Sequence, residues 1–288
     1  MTENPGILKA EDYIEPRCVL CDEPYGAEPA AKSVPQRRII EKMDEYMSRR
    51  DYAGAERHLL YWLEEARLGR DQRGELMIRN ELVGHYRKTA DKEAAFEHAK
   101  AALDLLREMD FEGTISAGTT YTNVATAYNA FGENEQSIEL FEKAKDVYES
   151  SSRTDPQLLG GLYNNMALVC VSLKQFERAG ERYQTALSVM EKVPGGELEQ
   201  AITYINMANA AEDEKGPEEE EEQINSCMDK AYELLDTTDA PRDGYYAFVC
   251  EKCAPAFSWY GYFMQAEELN RRAEEIYRRN DANGDTEE

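Results

Sequence analysis

A small or mid-sized apolar residue returns along the chain at Met43, Val83, Ala125, Ala167, Ala208 and Ala254, at spacings of 40, 42, 42, 41 and 46 residues. Self-similarity at such a period means one supersecondary unit copied and stacked, because a single copy cannot bury its own apolar face. The clearest pair sets Tyr121-Thr-Asn-Val-Ala125-x-x-Tyr128 against Tyr163-Asn-Asn-Met-Ala167-x-x-Cys170. The match continues from Gly132, Ser137, Phe141 and Ala144 to Lys174, Ala179, Tyr183 and Ala186. Each half of a copy is a helix, so the unit is a helix hairpin and the chain is all-α. Six copies fill residues 35–280. The last reads Cys250-x-x-Cys253-Ala254-x-x-Phe257, then Gly261, Ala266 and Ala273, and extra residues around Pro217 account for the 46-residue step. The first copy departs from the pattern at Lys42 and rests on Tyr46, Tyr52, Ala55, Leu59 and Trp62.

A first helix with large, large-small and aromatic positions, followed by a second with small, aromatic and small ones, resembles the tetratricopeptide repeat family. The 42-residue period is similar to the longer-helix variety found in kinesin light chain. The resemblance implies a right-handed superhelical solenoid of about six helix-turn-helix repeats whose first helices line a concave groove. Close packing explains the pattern, since small side chains let paired helices approach and large ones fill what is left. Punctuation agrees with it. Asp155-Pro156 sets a capping acid before a proline at the first helical position, and Val193-Pro-Gly-Gly196 and Asp239-Ala-Pro241 mark further breaks. The run Glu218 to Glu222 after Pro217 reads as a helix start, with acids meeting the positive end of the helix dipole. In the final helix, Gln265 to Asn280, the polar Asn270 replaces the aromatic found at Phe141 and Tyr183, as a capping repeat with a wet outer face requires. Outside the repeats lie an extended proline-bearing N-terminal arm, 1–34, and an acidic tail, 281–288, expected to be disordered.

The formal charge of -25, from 58 acidic against 33 basic residues, repels phosphate backbones and argues against nucleic acid. No apolar run of membrane-spanning length and no secretory leader is evident, so a cytoplasmic protein without membrane partners is expected. Nothing looks catalytic. His58, His85 and His98 have no paired nucleophile or metal spacing, and His58 and His98, at equivalent places in second helices, are expected at the surface.

A scaffold or peptide sensor binding a protein or peptide partner is the expected function, and asparagines carry it. Asn123, Asn165 and Asn206 each stand two residues before the small residue of their copy, with Thr126, Asn129, Asn164 and Asn209 on or beside the same face. An amide donates and accepts together, so a row of them suits the backbone of an extended peptide, or equally the bracing of one helix on the next. Resemblance to kinesin-light-chain-like and chaperone-adaptor repeats implies the peptide role for Asn123, Asn165 and Asn206. Arg87 and Lys88 in the second copy and Trp259 in the sixth add a basic and an aromatic end.

The alternative is a zinc-binding or redox-responsive regulator. Two C-x-x-C pairs, Cys18/Cys21 and Cys250/Cys253, together supply the four thiolates of a structural zinc site, and no other cofactor is expected. Reach constrains that idea. The stretch from Cys21 to Val34 spans at most roughly 40 Å at about 3.1 Å per residue, against roughly 40 to 50 Å for five helix-to-helix steps.

Overall fold

The computed structural model describes residues 32–284, and among them every regular element is an α-helix. There are twelve such helices, which divide between two compact units. The first holds α1 (Gln36–Ser48), α2 (Tyr52–Leu68), α3 (Gln72–Lys88), α4 (Lys92–Glu108), α5 (Ile115–Ala130) and α6 (Asn134–Ser150). The second holds α7 (Pro156–Ser172), α8 (Phe176–Met190), α9 (Glu197–Lys215), α10 (Glu221–Thr237), α11 (Gly244–Trp259) and α12 (Phe263–Gly284). Each unit is thus three hairpins, and the six hairpins are the six copies expected from the sequence.

One turn recurs in the first unit. Arg50, Arg70 and Ala90 take left-handed backbone conformations, with φ of 55, 53 and 61°, and each is followed by an aspartate that caps the next helix. The carboxylates of Asp51, Asp71 and Asp91 accept from the backbone N–H groups of Gly54, Gly74 and Ala94. Each satisfies a donor that the helix start leaves without an intrahelical partner, worth about 1 kcal/mol. Asp71 does more: its second oxygen accepts from the Val34 N–H at 2.9 Å, which fastens the chain ahead of α1 to the start of α3. In the second unit Asp155 caps α7 as expected, through the Gln157 N–H, and Asp243 caps α11.

The recurring small residues lie where paired helices meet. Val83, Ala125, Ala167 and Ala208 have no exposed surface, and Met43 and Ala254 are nearly as deep. Around them the first unit buries Ile39, Leu59, Ile78 and Leu82, and the second buries Leu235, Tyr246, Phe257 and Leu269. Full burial of an aliphatic or aromatic side chain of this size contributes about 1.5 to 3 kcal/mol, so each hairpin draws its stability from the seam with its neighbours.

Three expectations need correcting. The helix after Pro217 starts at Glu221, with a turn between, so Glu221 and Glu222 alone of the glutamate run sit in its first turn. Helix α12 runs to Gly284, past the boundary expected at 280. His98 is buried rather than exposed, and His58 is half-buried with its Nε2 3.1 Å from the Ile39 carbonyl oxygen. Its aromatic neighbour explains His98: the imidazole stacks on the Tyr86 ring, 5.6 Å between centroids, and accepts from the Arg79 guanidinium at Nδ1. Helix α11 passes through Pro255, which is exposed.

Candidate functional site

Some of the asparagines bridge one first helix to the next, and the others stand along the same helices. In the second unit Asn206 on α9 donates from Nδ2 to Oδ1 of Asn164 on α7, at 3.0 Å. In the first, Asn123 on α5 donates to Oδ1 of Asn80 on α3, at 3.4 Å, and Asn80 in turn donates to Thr120 Oγ1 and the Leu76 carbonyl. Both bridges join first helices of consecutive hairpins by one rule: the amide two residues before the small residue reaches back to the amide three residues before it in the preceding copy. Asn80 was missed from the sequence, although its place relative to Val83 is that of Asn164 relative to Ala167. Asn165 and Asn129 are half-buried, and Thr126 turns its hydroxyl back to the Thr122 carbonyl within its own helix. Lys88 lies 5.4 Å from the centroid of the Tyr52 ring at the start of α2, while the Arg87 side chain is exposed.

The second unit gathers the rest. Helices α9 and α11 run side by side and leave an open groove of about 730 Å³, walled by Ile202, Ile205, Asn206, Asn209 and Glu212 on one side and by Lys252, Ala256 and Trp259 on the other. Trp259 is 72% exposed, yet its orientation is fixed: the indole N–H donates to both oxygens of Glu212, at 3.1 and 3.0 Å. The single Tyr260 hydroxyl proton is shared between Glu212, at 2.7 Å, and Asn209 Oδ1, at 3.0 Å. At the other end of α11 the Tyr245 hydroxyl donates to Glu199, and its ring stacks on Phe248 with centroids 6.2 Å apart. Burial and the adjoining carboxylates push both tyrosine hydroxyls above their ordinary range, so they remain donors at any physiological pH. Of the expected site residues, then, the fold brings Asn164, Asn206, Asn209 and Trp259 together. Sequence reading did not single out Glu199, Glu212, Tyr245 and Tyr260, whose pairings cross from one hairpin to the next and leave no trace in local spacing.

Cys250 and Cys253 belong to the core of the second unit, with 0 and 1% of their surface exposed. Burial raises their thiols, to about 11 for Cys250 and about 12 for Cys253, which opposes the thiolate form that a metal needs. Among the described residues no cluster of three or more histidine, cysteine or carboxylate side chains is arranged to hold a metal, and Cys18 and Cys21 lie outside those residues. No described helix is long and apolar enough to cross a membrane.

Comparison with known proteins agrees with the hairpin architecture. A family model described as tetratricopeptide repeat matches residues 158–233. Among solved structures, NprR in complex with its cognate peptide NprX is 14% identical, covers 86% of this chain and 69% of its own, and superposes with a TM-score of 0.56. BtubC (BKLC) from P. vanneervenii is 18% identical over 88% of this chain and 94% of its own, at a TM-score of 0.46. Aspartyl phosphate phosphatase F from Bacillus subtilis is 16% identical over 84% and 68%, at 0.41. Of these three, NprR is near enough to speak for the fold. No curated protein sequence matches significantly. The stretch matched by the tetratricopeptide repeat model runs from α7 through most of α10, and the remaining described helices repeat the same hairpin architecture.

Proposed function

We propose that this protein is a scaffold that holds an extended peptide segment of a partner, and that the α9–α11 groove is where it does so. One observation carries the reading: an indole with most of its surface in solvent, locked in orientation by a carboxylate on the facing helix. Packing does not need Trp259 there, since the seam between the hairpins is already closed by Ala208, Cys250 and Phe257. A rigid, amphipathic ring at an open groove is the side chain that supplies binding area at low entropic cost. NprR, whose fold this chain resembles, was solved with a peptide bound, which supports the same use here. The asparagines then divide the work. Asn209, exposed on the groove wall, is free to meet a peptide backbone with its amide N–H₂, whereas Asn206 and Asn123 brace the stack.

Selection of short peptides from a random library on the full chain tests this. Binders are expected to lose about tenfold or more in affinity against Trp259→Ala, as truncation of a central aromatic anchor does. They should be indifferent to Leu68→Ala, which truncates an exposed leucine of the first unit. Selected peptides that bind the Trp259→Ala, Asn209→Ala double variant as well as the wild type would remove the groove assignment.

A further inference from the structure

Given that the α9–α11 groove binds a peptide, we infer that its ligand is a basic segment carrying two cationic side chains about six residues apart. The face shared by α9 and α11 carries the same chemistry at two ends, the open groove at one and the start of α11 beyond it at the other. At one end Trp259 and Tyr260 donate to Glu212, and at the other Tyr245 donates to Glu199 and stacks on Phe248. Neither Glu212 nor Glu199 forms an ion pair among the described residues, although both are half-buried. Asp213 nearby differs, since Lys174 pairs with it at 2.7 Å. Each uncompensated carboxylate keeps lone pairs for a donor from outside, beside an exposed ring: Trp259 is 72% and Tyr245 47% exposed.

A carboxylate beside an aromatic face is the pairing that takes an ammonium or guanidinium group. The cation lies within about 6 Å of the ring centroid and donates a charge-assisted hydrogen bond to the oxygen. In a chain of net charge -25 the long-range field draws the same kind of segment. Helical geometry fixes the spacing. Tyr245, Phe248, Lys252 and Trp259 fall at steps of three, four and seven residues, on one face of α11. Tyr245 and Trp259 are fourteen residues apart in the sequence, so their subsites are separated by about 21 Å. An extended segment rises about 3.3 Å per residue and crosses that distance in about six. Lys252 stands midway between them, exposed, with its Nζ 6.0 Å from the centroid of the Phe248 ring, and it repels a third cation there. The segment therefore reads cation, neutral or acidic centre, cation.

Calorimetric titration of the full chain with synthetic peptides decides it. The probes are a short extended peptide with arginines about six residues apart and a glutamate between them, its charge-reversed counterpart, and a version with the arginines about three apart. The first is expected to bind, to weaken with added salt, and to lose about tenfold in affinity when the spacing is shortened. Glu212→Gln keeps an acceptor for the Trp259 and Tyr260 donors while removing the charge, and a loss of about tenfold is expected there too. Circular dichroism of that variant should match the wild type. Failure of the basic peptide to bind at roughly millimolar concentration, equal affinity for the charge-reversed peptide, or an unchanged Glu212→Gln each overturns the inference. The reading beneath it fails separately. If library-selected neutral or acidic peptides lose affinity on Trp259→Ala, the groove binds peptides of another class, and if no selected peptide does, the groove itself is misassigned.

Discussion

Gly118 of α5 and Gly160 of α7 stand at the same point of their hairpins, one in each unit, and meet different neighbours. A Cβ built on Gly118 falls 2.3 Å from Cε1 of Tyr148, and one built on Gly160 falls 2.4 Å from Cε of Met190. Both distances are impossible without movement, yet the two neighbours differ in their freedom to move. Tyr148 is 1% exposed, with its hydroxyl 3.1 Å from Thr119 Oγ1, and a flat ring held at its far end has nowhere to turn. Met190 is as deeply buried, at 2%, but its side chain is an unbranched thioether with more rotatable bonds through which to give way. The same frame is therefore rigid at one hairpin and compliant at another, and the identity of the neighbour sets the difference.

Alanine at the two positions measures it. Alanine in place of glycine favours a helix by about 1 kcal/mol, and overpacking a rigid core site opposes it by about 1 to 3. Gly118→Ala is expected to lower stability by about 2 kcal/mol, near the upper end, because the displaced ring also loses its Thr119 hydrogen bond. Gly160→Ala should come out near zero, propensity offsetting the shift of Met190. Urea midpoints at constant slope give both values. Equal losses would show that helix approach rather than neighbour flexibility governs the seam.

Acid separates the units by another route, since all three histidines lie in the first. Burial holds His98 and His85 below the ordinary imidazole value of 6.5, with the Arg79 guanidinium lowering His98 further. The unfolded chain then binds more protons than the folded one. The stabilisation is complete above pH 6.5 and is lost as pH falls toward the depressed folded values. His98 faces Arg79 and Glu97, His85 faces Glu56 and Lys88, and neither Glu97 nor Glu56 reverses the direction. Glu81 and Asp44 act oppositely. Their carboxyls are raised by burial, then by the charge of Asp44 on Glu81 and of Glu41 on Asp44. Their contribution therefore grows as pH falls through the raised values toward the unfolded ones. The helices of the first unit should lose hydrogen-exchange protection below pH 6.5 while those of the second do not, with a slope under about 1.4 kcal/mol per pH unit for each histidine. His98→Asn keeps an acceptor for Arg79 and cannot titrate, so it should flatten the slope. An unchanged slope in that variant would place the acid response elsewhere.

What the sequence made legible follows from where the information is stored. The hairpins are written in local periodicity and small residues, which is why Ala125, Ala167 and Ala208 located the helix seams, and Asp155-Pro156 the start of α7. The groove was half legible. Trp259 and Asn209 are visible as outward residues of a first helix, but Glu212 and Glu199 gain meaning only from partners 47 and 46 positions away. His98 was misplaced because no helical pattern announces that Tyr86 on the paired helix will stack on it. The start of α10 was misplaced because Pro217 opens a turn of its own before the helix begins.

The smallest contrast lies in the two amide bridges, and it also separates bracing from binding. Asn164 is 8% exposed, and its Oδ1 accepts from Asn206 at 3.0 Å. Asn206→Ala strands that acceptor in the second unit, which should lower stability by about 1 kcal/mol. Asn80, by contrast, is half-buried and already anchored through its donors to Leu76 and Thr120, and the Asn123 donor reaches it at 3.4 Å. Asn123→Ala should therefore lower stability by about 0.5 kcal/mol or less. Removing both partners is less damaging than stranding one, so Asn164→Ala in the Asn206→Ala background should add less than it costs alone. Neither substitution at Asn123 or Asn206 should change the affinity of a groove peptide by as much as Asn209→Ala does, because their amides are engaged between helices. If Asn206→Ala leaves the urea midpoint untouched and weakens peptide binding instead, the bridge is a resting pose of a binding residue, and the division between brace and groove wall has to be redrawn.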